Sequence, residues 1–279
     1  MKICTKLCVL IGLCTICGCI PTLDEVILRP YEREVTTTWN YTEYELPINS
    51  DIVEVWHFDL ENPVGMLVLI PGSDASKSVY TLAADYFLPL NIELLLMDYR
   101  GFGGSTGTPS LDNLVEDVDL VLDFADTFNT PFVAYSISLG TPLLAYNAQT
   151  DRPNLKACIF EGIFIFDKEV RLWLEYTYPN PLNAFLSDMS GFYVLPQIPE
   201  VGYNILSDIQ NVQYKKLFVQ STEDEVTPYA GALLVYDNSV EPKELWPIWG
   251  GHGEAIKNGD PNYVDPLTDW IIEQLNNNW

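Results

Sequence analysis

Apolar and polar positions follow two different patterns in two parts of this chain. Between residues 34 and 60, apolar and polar residues alternate, which predicts antiparallel strands with a turn near Pro47. From residue 65 onward, short unbroken apolar runs alternate with longer amphipathic stretches. The runs are typical of strands buried on both faces, and the stretches between them are typical of helices. The pattern therefore favours an α/β fold, a mostly parallel sheet covered by helices on both sides.

Strands and helices alternate from residue 65 to the end of the chain. The predicted strands cover residues 65–70, 92–98, 131–136, 155–160, 216–220 and 244–249, and the predicted helices cover residues 76–87, 111–128, 139–149 and 266–275. In such sheets the reactive groups collect beyond the carboxyl ends of the strands. Residues from about 163 to 212 break the alternation with many aromatic residues and prolines. They predict a small lid over the site, the alternative being a surface excursion whose aromatics only pack on the body.

The first nineteen residues have the character of an export signal. Two lysines precede an apolar run over residues 7–16, which is too short to span a bilayer, and small residues follow it. Ile16-Cys17-Gly18-Cys19 resembles a bacterial lipobox, which predicts a lipid on Cys19. An ordinary cleaved signal or an uncleaved anchor is the alternative. We therefore expect an exported protein, held by its N-terminal lipid to a bacterial cell-envelope membrane.

Size and composition suit one large domain. The chain has 279 residues, 48% of them hydrophobic, so we expect a short tether over residues 20–33 and one packed domain over residues 34–279. The net charge of −25 disfavours nucleic acid as a partner and is interpreted as solvated surface charge. With two histidines and one cysteine after Cys19, a zinc site is hard to assemble. No metal and no cofactor are expected.

A serine stands at the junction of a predicted strand and a predicted helix. The apolar run from residue 131 leads into Ser136-Ile-Ser138-Leu-Gly140, a variant of the Gly-x-Ser-x-Gly nucleophile elbow. The turn is so tight that the positions two before and two after the nucleophile must be small. Gly140 satisfies this condition, while Ser136 is somewhat larger than the usual glycine. Ser138 is the predicted nucleophile, at the start of a helix whose dipole favours negative charge.

A serine nucleophile needs a base, and the chain offers only His57 and His252. His57 lies in an early predicted strand and is interpreted as a structural histidine. His252 lies between glycines after the last predicted strand, where the loop can bring its imidazole over the sheet edge. His252 is therefore the predicted base.

The third group is expected in the acidic turn after the penultimate strand. Asp224 lies where a loop carboxylate would face the histidine, and the neighbouring Glu223 and Glu225 are the alternatives. An oxyanion requires hydrogen-bond donors as well. We expect these from the backbone N–H of Leu139, directly after the nucleophile, and of Ser73, in the turn after the 65–70 strand.

Together these features resemble the α/β-hydrolase superfamily, in which nucleophile, acid and base follow in the order Ser, Asp, His. Residues 97–110 resemble the Asp-Tyr-Arg-Gly-x-Gly-x-Ser-x-Gly loop of its small-lid, serine aminopeptidase-like members and acyl hydrolases. The resemblance covers about residues 52–277 and implies an eight-stranded, mostly parallel sheet and an acyl-serine intermediate. Pro71 and Ser136 depart from the family's usual histidine and glycine. These departures imply a changed oxyanion geometry and weak or narrow activity.

Three functions are compatible with this pattern. The leading hypothesis is an extracytoplasmic hydrolase of carboxylic esters whose substrate is a small molecule with an acyl or aryl group of modest size. The second is a peptidase or amidase for short peptides, whose lid would use Glu169, Glu175 or Asp188 to bind a free amine. The third is a lipoprotein that uses the fold only as a binding surface, and the intact serine, aspartate and histidine argue against it.

Overall fold

An eight-stranded sheet forms the centre of the protein. The structure, a computed structural model, describes residues 24, 27–29, 35, 37–166, 202–258 and 261–276. The strands are β1 (Thr42–Ile48), β2 (Asp51–Phe58), β3 (Gly65–Ile70), β4 (Ile92–Met97), β5 (Phe132–Ile137), β6 (Leu155–Glu161), β7 (Lys215–Ser221) and β8 (Lys243–Ile248). Their order in the sheet is β1-β2-β4-β3-β5-β6-β7-β8. Strand β2 runs antiparallel to β1 and β4, and the remaining pairs are parallel, which confirms the predicted mostly parallel sheet.

Helices connect the strands and cover the sheet. They are α1 (Ala83–Phe87), α2 (Leu111–Asp126), α3 (Gly140–Asn147), α4 (Ile205–Asp208), α5 (Tyr229–Asn238), α6 (Ala255–Asn258) and α7 (Pro261–Asn276), with 3-10 turns at Lys77–Tyr80 and Leu88–Leu90. None of the helices in the described ranges is long and apolar enough to cross a membrane.

The core lies on both faces of the sheet, as the unbroken apolar strands predict. On β3, Met66, Val68 and Ile70 pack in the same hydrophobic cluster as residues of α2 and α3. The alternate residues Leu67 and Leu69 pack in a second cluster with residues of α1 and α7. Because successive side chains of a strand point to opposite faces, a strand covered on both sides must be apolar throughout. Burial of each such side chain contributes about 1.5–3 kcal/mol.

The predicted helix over residues 76–87 is wrong in its first half, where a 3-10 turn stands before the short helix α1. The reason is a long-range polar contact. The Lys77 N–H donates to Asp98 Oδ1 at 2.6 Å, and the Lys77 ammonium is buried between the carboxylates of Asp98 and Glu54. These contacts with Glu54 of β2 and with Asp98, the residue after β4, favour the 3-10 turn over the α-helix that the sequence pattern predicts.

The alternating pattern also predicts a strand before residue 42, where the structure has none among the described residues. The apolar residues of this alternating pattern make side-chain contacts with the domain instead of forming a strand. Trp39 Nε1 donates to Asp85 Oδ1 at 2.8 Å, and Tyr41 stacks on Trp56 with ring centroids 4.4 Å apart. The closing helix, predicted from residue 266, begins earlier, at Pro261, and contains Pro266 in its interior.

The range expected to form a lid, about residues 163–212, is described only at its two ends. Phe166 at one end and Tyr203 at the other contact each other edge to face, with ring centroids 5.3 Å apart. Ile205, Ile209 and Val212 are buried in the same cluster as α2 and α3. These ends therefore belong to the body of the domain, and residues 167–201 lie outside the described residues.

Candidate active site

Ser138 lies in the sharp turn between β5 and α3. Its φ of 52° is a left-handed conformation that non-glycine residues rarely adopt, as expected for a nucleophile elbow. Gly140 allows the turn, because a Cβ at this position would lie 2.8 Å from the carbonyl oxygens of Ile70 and Pro71. The strand, the turn and the small residue are thus the three parts of the motif that the sequence predicts.

Ser136 replaces the elbow's first glycine without crowding the turn. Its side chain is fully buried, and its Oγ donates to the Ile159 carbonyl of the neighbouring strand β6 at 2.9 Å. The hydroxyl is therefore used within the sheet. The other departure, Pro71, accepts a hydrogen bond from the Tyr99 hydroxyl on its carbonyl at 2.7 Å. Both departures have structural partners.

His252 lies beside the serine, on the loop between β8 and α6. Its Nε2 lies 2.8 Å from Ser138 Oγ, and its Nδ1 lies 2.8 Å from Asp224 Oδ2. For Nε2 to accept the serine proton, Nδ1 must carry the hydrogen and donate it to the carboxylate. The structure therefore brings the predicted serine, histidine and aspartate into one chain of hydrogen bonds.

Asp224 is the buried member of the acidic turn, whereas Glu223 and Glu225 are exposed. Besides His252, its carboxylate accepts hydrogen bonds from Val226 N–H, Thr227 N–H, the Thr227 hydroxyl and the Gln220 amide. Burial alone would raise the pKa of the Asp224 carboxyl, but the hydrogen bond and charge of His252 and the Thr227 donors outweigh burial and lower it. The carboxylate is thus held ionised.

The two expected oxyanion donors belong to residues next to Ser138 or to its neighbour Gly72. The Leu139 N–H belongs to the elbow itself, and Ser73 follows Gly72, where a Cβ would lie 3.3 Å from the Ser138 Cβ. Neither N–H donates a hydrogen bond to another residue in the described part of the chain. These two N–H groups therefore remain the expected donors to a negatively charged oxygen beside Ser138.

An open cleft of about 770 Å³ lies next to this chain of groups. Its lining consists of residues 222–226 and 250–252, and it therefore includes Asp224 and His252. Glu223 and Glu225 stand at its edge. Trp249, which is 80% exposed, immediately precedes the lining residues Gly250 and Gly251. A bound molecule in this cleft would meet the carboxylates close to the base but not Ser138, which is not among the lining residues.

The remaining chemically active side chains lie elsewhere. His57 is buried against Phe128 and lies 3.3 Å from Glu93 Oε2, outside hydrogen-bond geometry, so it is a core histidine as predicted. Burial raises the pKa of the Cys158 thiol to about 12. In the described ranges no three His, Cys, Asp or Glu side chains are grouped for a metal ion. Cys19 and the acids proposed for the lid, Glu169, Glu175 and Asp188, lie outside the described residues.

Three residues around the site escaped the sequence reasoning. Thr227 Oγ1 lies 3.1 Å from His252 Nδ1 and donates a hydrogen bond to the Asp224 carboxylate. The Gln220 side-chain amide donates to the same carboxylate. Gly162 lies against the imidazole of His252. The sequence offers one signal for them, a glutamine that ends the otherwise apolar run of β7. Thr227 and Gly162 carry no such signal, because nothing local distinguishes them from ordinary turn residues.

Comparisons with known proteins agree with this architecture. A family model described as serine aminopeptidase, S33, matches residues 61–191. The chain is 33% identical over 231 residues to the uncharacterized protein YfhR of Salmonella typhi, covering 77% of this chain and 74% of that protein. It is 22% identical over 193 residues to the human alpha/beta hydrolase domain-containing protein 17B, covering 67% of this chain and 59% of that protein.

The fold also matches solved structures. The esterase Pf2001 of Pyrococcus furiosus superposes with a TM-score of 0.72 at 14% sequence identity, covering 89% of this chain and 98% of that one. At this level of identity the likeness concerns the fold. Together with the relative of 33% identity, the partial family match, the order of the sheet and the elbow, it shows that this chain belongs to the α/β-hydrolase superfamily.

Proposed function

We propose that the protein is a serine hydrolase that cleaves carboxylic esters of small to medium acyl groups. The observation that carries this proposal is the continuous chain of hydrogen bonds from Ser138 Oγ through His252 to Asp224, with both links at 2.8 Å. Nucleophile, base and orienting acid are within contact distance, which is the arrangement that acyl transfer requires. The Pyrococcus furiosus neighbour is called an esterase, which supports the choice of esters.

In this proposal each group has one role. Ser138 Oγ attacks the ester carbonyl carbon while its proton passes to His252 Nε2, and the N–H groups of Ser73 and Leu139 stabilise the negative oxygen. His252 returns the proton to the departing alkoxide, so the alcohol leaves and the acyl group stays on Ser138. A water then attacks the carbonyl carbon of the acyl-enzyme and gives its proton to His252, which passes it to Ser138 Oγ as the acyl–Oγ bond breaks and the carboxylic acid leaves. Asp224 keeps Nδ1 protonated throughout.

Fluorophosphonate labelling and a panel of p-nitrophenyl esters test this proposal. We expect one label per chain, on Ser138, and ester hydrolysis that falls at least about 10⁴-fold in Ser138→Ala. Equal hydrolysis by Ser138→Ala would reject the serine mechanism. Absence of both labelling and hydrolysis in the wild type would leave a binding protein on the same fold as the remaining explanation.

A peptidase or amidase is the second candidate. It is favoured by the exposed carboxylates of Glu223 and Glu225 at the edge of the cleft, since a free amine would be attracted to them. The description of the matching family as a serine aminopeptidase points the same way. Comparing aminoacyl-p-nitroanilides with p-nitrophenyl esters of similar size decides between the two. A higher kcat/KM on the anilides would establish the peptidase.

We also propose that the protein is exported and anchored by a lipid on Cys19. The support is the sequence of the first nineteen residues, which combines a basic start, an apolar run and a lipobox-like end. Incorporation of labelled palmitate into the wild type and its loss in Cys19→Ala would establish the anchor. A wild-type protein recovered without lipid, in the soluble fraction, would reject it.

A further inference from the structure

The turn that follows β6, residues 161–164, touches the nucleophile and the base at once. We call it the post-β6 turn. The Ser138 N–H donates to the Glu161 carbonyl at 2.9 Å. Gly162 lies under the imidazole, since a Cβ on this glycine would lie 3.0 Å from His252 Cε1. Two of the three groups of the proposed triad are thus placed against the same short piece of backbone.

The side chain of Thr141 links the same turn to the backbone carbonyl of Ser138. Thr141 is fully buried, and its Oγ1 donates to the Ser138 carbonyl at 2.7 Å. The same Oγ1 accepts the Phe164 N–H at 3.0 Å. Ser138 is therefore held to the turn from both its amide and its carbonyl.

The third group reaches the turn through Gln220, the sixth residue of β7. Gln220 is fully buried. Its Oε1 accepts the Ile163 N–H at 2.9 Å, and its Nε2 donates to Asp224 Oδ2 at 3.0 Å and to the Thr227 carbonyl at 2.6 Å. A backbone N–H can only donate, so the amide oxygen must face Ile163 and the amide nitrogen must face the carboxylate.

Gln220 donates its hydrogen bond to the same carboxylate oxygen of Asp224 that faces His252. Asp224 Oδ2 is the atom that faces His252 Nδ1, and it also receives the Gln220 amide and the Thr227 hydroxyl. Without the amide donor, this oxygen would keep the His252 N–H and the Thr227 hydroxyl, but the carboxylate would lose its link to Ile163 in the post-β6 turn. The ionisable groups around it are His252 and, next to His252, Glu161 at the end of β6.

We propose that Gln220 is a positioning residue of the active site, which ties the orienting carboxylate of Asp224 to the post-β6 turn that also holds Ser138 and His252. The inference rests on the proposed function, because Ser138, His252 and Asp224 need to be held in a fixed relative position only if they act together in catalysis. One amide links the acid to the backbone that supports the other two, so a shift of the acid changes the alignment of the whole chain of hydrogen bonds.

Two substitutions at Gln220 test the proposal, and Gln274 supplies the matched control. Gln220→Met keeps the volume and removes the contacts to Ile163, Asp224 and the Thr227 carbonyl. While its introduced carboxyl is neutral, Gln220→Glu can still accept the Ile163 N–H and donate its one hydrogen to Asp224, but it loses the donation to the Thr227 carbonyl, and it repels Asp224 once it ionises. Gln274 is also a fully buried glutamine, but its amide nitrogen donates within its own helix α7, to the Trp270 carbonyl at 3.2 Å. Gln274→Met thus measures how the loss of a buried glutamine away from the site changes Tm and kcat.

We expect Gln220→Met to lower kcat on a p-nitrophenyl ester about 10-fold to 100-fold while KM stays within about 3-fold. Its fluorophosphonate labelling rate should fall by a similar factor, and the end point should stay at one label per chain. For Gln220→Glu, activity relative to the wild type should fall as the pH rises from about 5 to about 8. Gln274→Met should lower Tm but leave kcat within about 2-fold.

A second readout needs no substrate. The proton shared by His252 Nδ1 and Asp224 Oδ2 gives a low-field proton NMR resonance, which should be present in the wild type and in Gln274→Met and shifted or lost in Gln220→Met. Wild-type labelling rate and an unchanged resonance in Gln220→Met would overturn the proposal. A wild type that shows the resonance but neither labels nor hydrolyses esters would instead reject the proposed function.

Discussion

Two buried carboxyl groups stand at neighbouring strand ends, and their surroundings have opposite effects. Asp224, after β7, faces His252 and a set of backbone and side-chain donors, and its pKa is lowered. Glu161, at the end of β6, is even less exposed and accepts hydrogen bonds from the Tyr135 hydroxyl and, at 3.0 Å, from the Ala255 N–H. Burial raises the pKa of Glu161 more than these donors lower it.

The difference shows what makes a buried carboxyl a useful acid. Both groups are removed from water, so burial penalises the charge of each. Only Asp224 has enough donors, together with a basic partner, to remain ionised and to orient an imidazole. Glu161 instead joins strand β6 to the N–H of Ala255 on α6, three residues after His252. One carboxyl serves the proposed chemistry, and the other serves the loop that carries the base.

Amide replacements of the two carboxyls should give the largest difference. Asp224→Asn is expected to lower kcat about 10⁴-fold, because an amide favours the wrong tautomer of His252. Glu161→Gln is expected to cost less than about 10-fold, since its amide oxygen still accepts the Ala255 N–H. Steady-state hydrolysis of a p-nitrophenyl ester measures both, with exposed Glu223→Gln as the control. Equal losses at Asp224 and Glu161 would contradict the distinction.

A smaller loss of activity is expected from a substitution at Gly162, the residue of the post-β6 turn that lies against His252. Gly162→Ala places a methyl group 3.0 Å from His252 Cε1 and should lower kcat about 100-fold by displacing the ring. Gly202→Ala is the matched control, because its φ of +77° is equally unfavourable for alanine while its Cβ would meet no described atom within 4 Å. Both variants should lose about 1 kcal/mol of stability from backbone strain. An equal loss of activity in both would show that strain alone is responsible.

The two carboxyls should also give opposite pH dependences of stability. The depressed pKa of Asp224 stabilises the fold above the unfolded value of about 3.9, and this contribution is lost as the pH falls through the folded value. The raised pKa of Glu161 stabilises the fold below about 4.3, and this contribution is lost as the pH rises through the folded value.

Thermal unfolding of the amide variants measures these dependences. The Tm advantage of the wild type over Asp224→Asn should grow as the pH rises from about 3 to about 6. Its advantage over Glu161→Gln should shrink as the pH rises from about 4 to about 7. Since about 1 kcal/mol shifts Tm by roughly 2–4 °C in a chain of this size, changes of a few degrees are expected. Parallel curves for the two variants would contradict the opposite shifts.

The smallest effect on activity is expected at Ser136. Ser136→Gly restores the usual elbow glycine and removes the hydrogen bond to the Ile159 carbonyl. Stability should fall by about 1 kcal/mol, from the lost bond and the added chain freedom, and kcat should stay within about 3-fold. Chemical denaturation and ester hydrolysis measure the two quantities. A gain of 10-fold or more in kcat would show that Ser136 limits the oxyanion geometry after all.

The parts of the fold that depend on local patterns could be predicted from the sequence. The run of β5 into the elbow, the elbow into α3, and the acid and base in the loops after β7 and β8 all follow from strand periodicity and from small or chemically distinct residues. The choice of Asp224 over Glu223 and Glu225 needed the structure only to show which of three adjacent acids turns inward.

What could not be predicted depends on contacts between distant residues. The hydrogen bond of Gln220 to Ile163 joins positions 57 residues apart, and the contact of Lys77 with Asp98 joins positions 21 apart. A periodic pattern contains no information on which polar side chain crosses from one strand end to another. The supports of the site and the shortened helix α1 therefore emerge only from the packed fold.

The contact of Phe166 with Tyr203 has a consequence for engineering. These rings lie 5.3 Å apart, so the described residues that flank positions 167–201 in the sequence meet at one place. Two relatives could exchange this stretch as a cassette, with junctions at Phe166 and Gly202, and each recipient would keep its own post-β6 turn. Such chimaeras would test the predicted lid, because we expect ester selectivity to follow the donor stretch if this stretch covers the site.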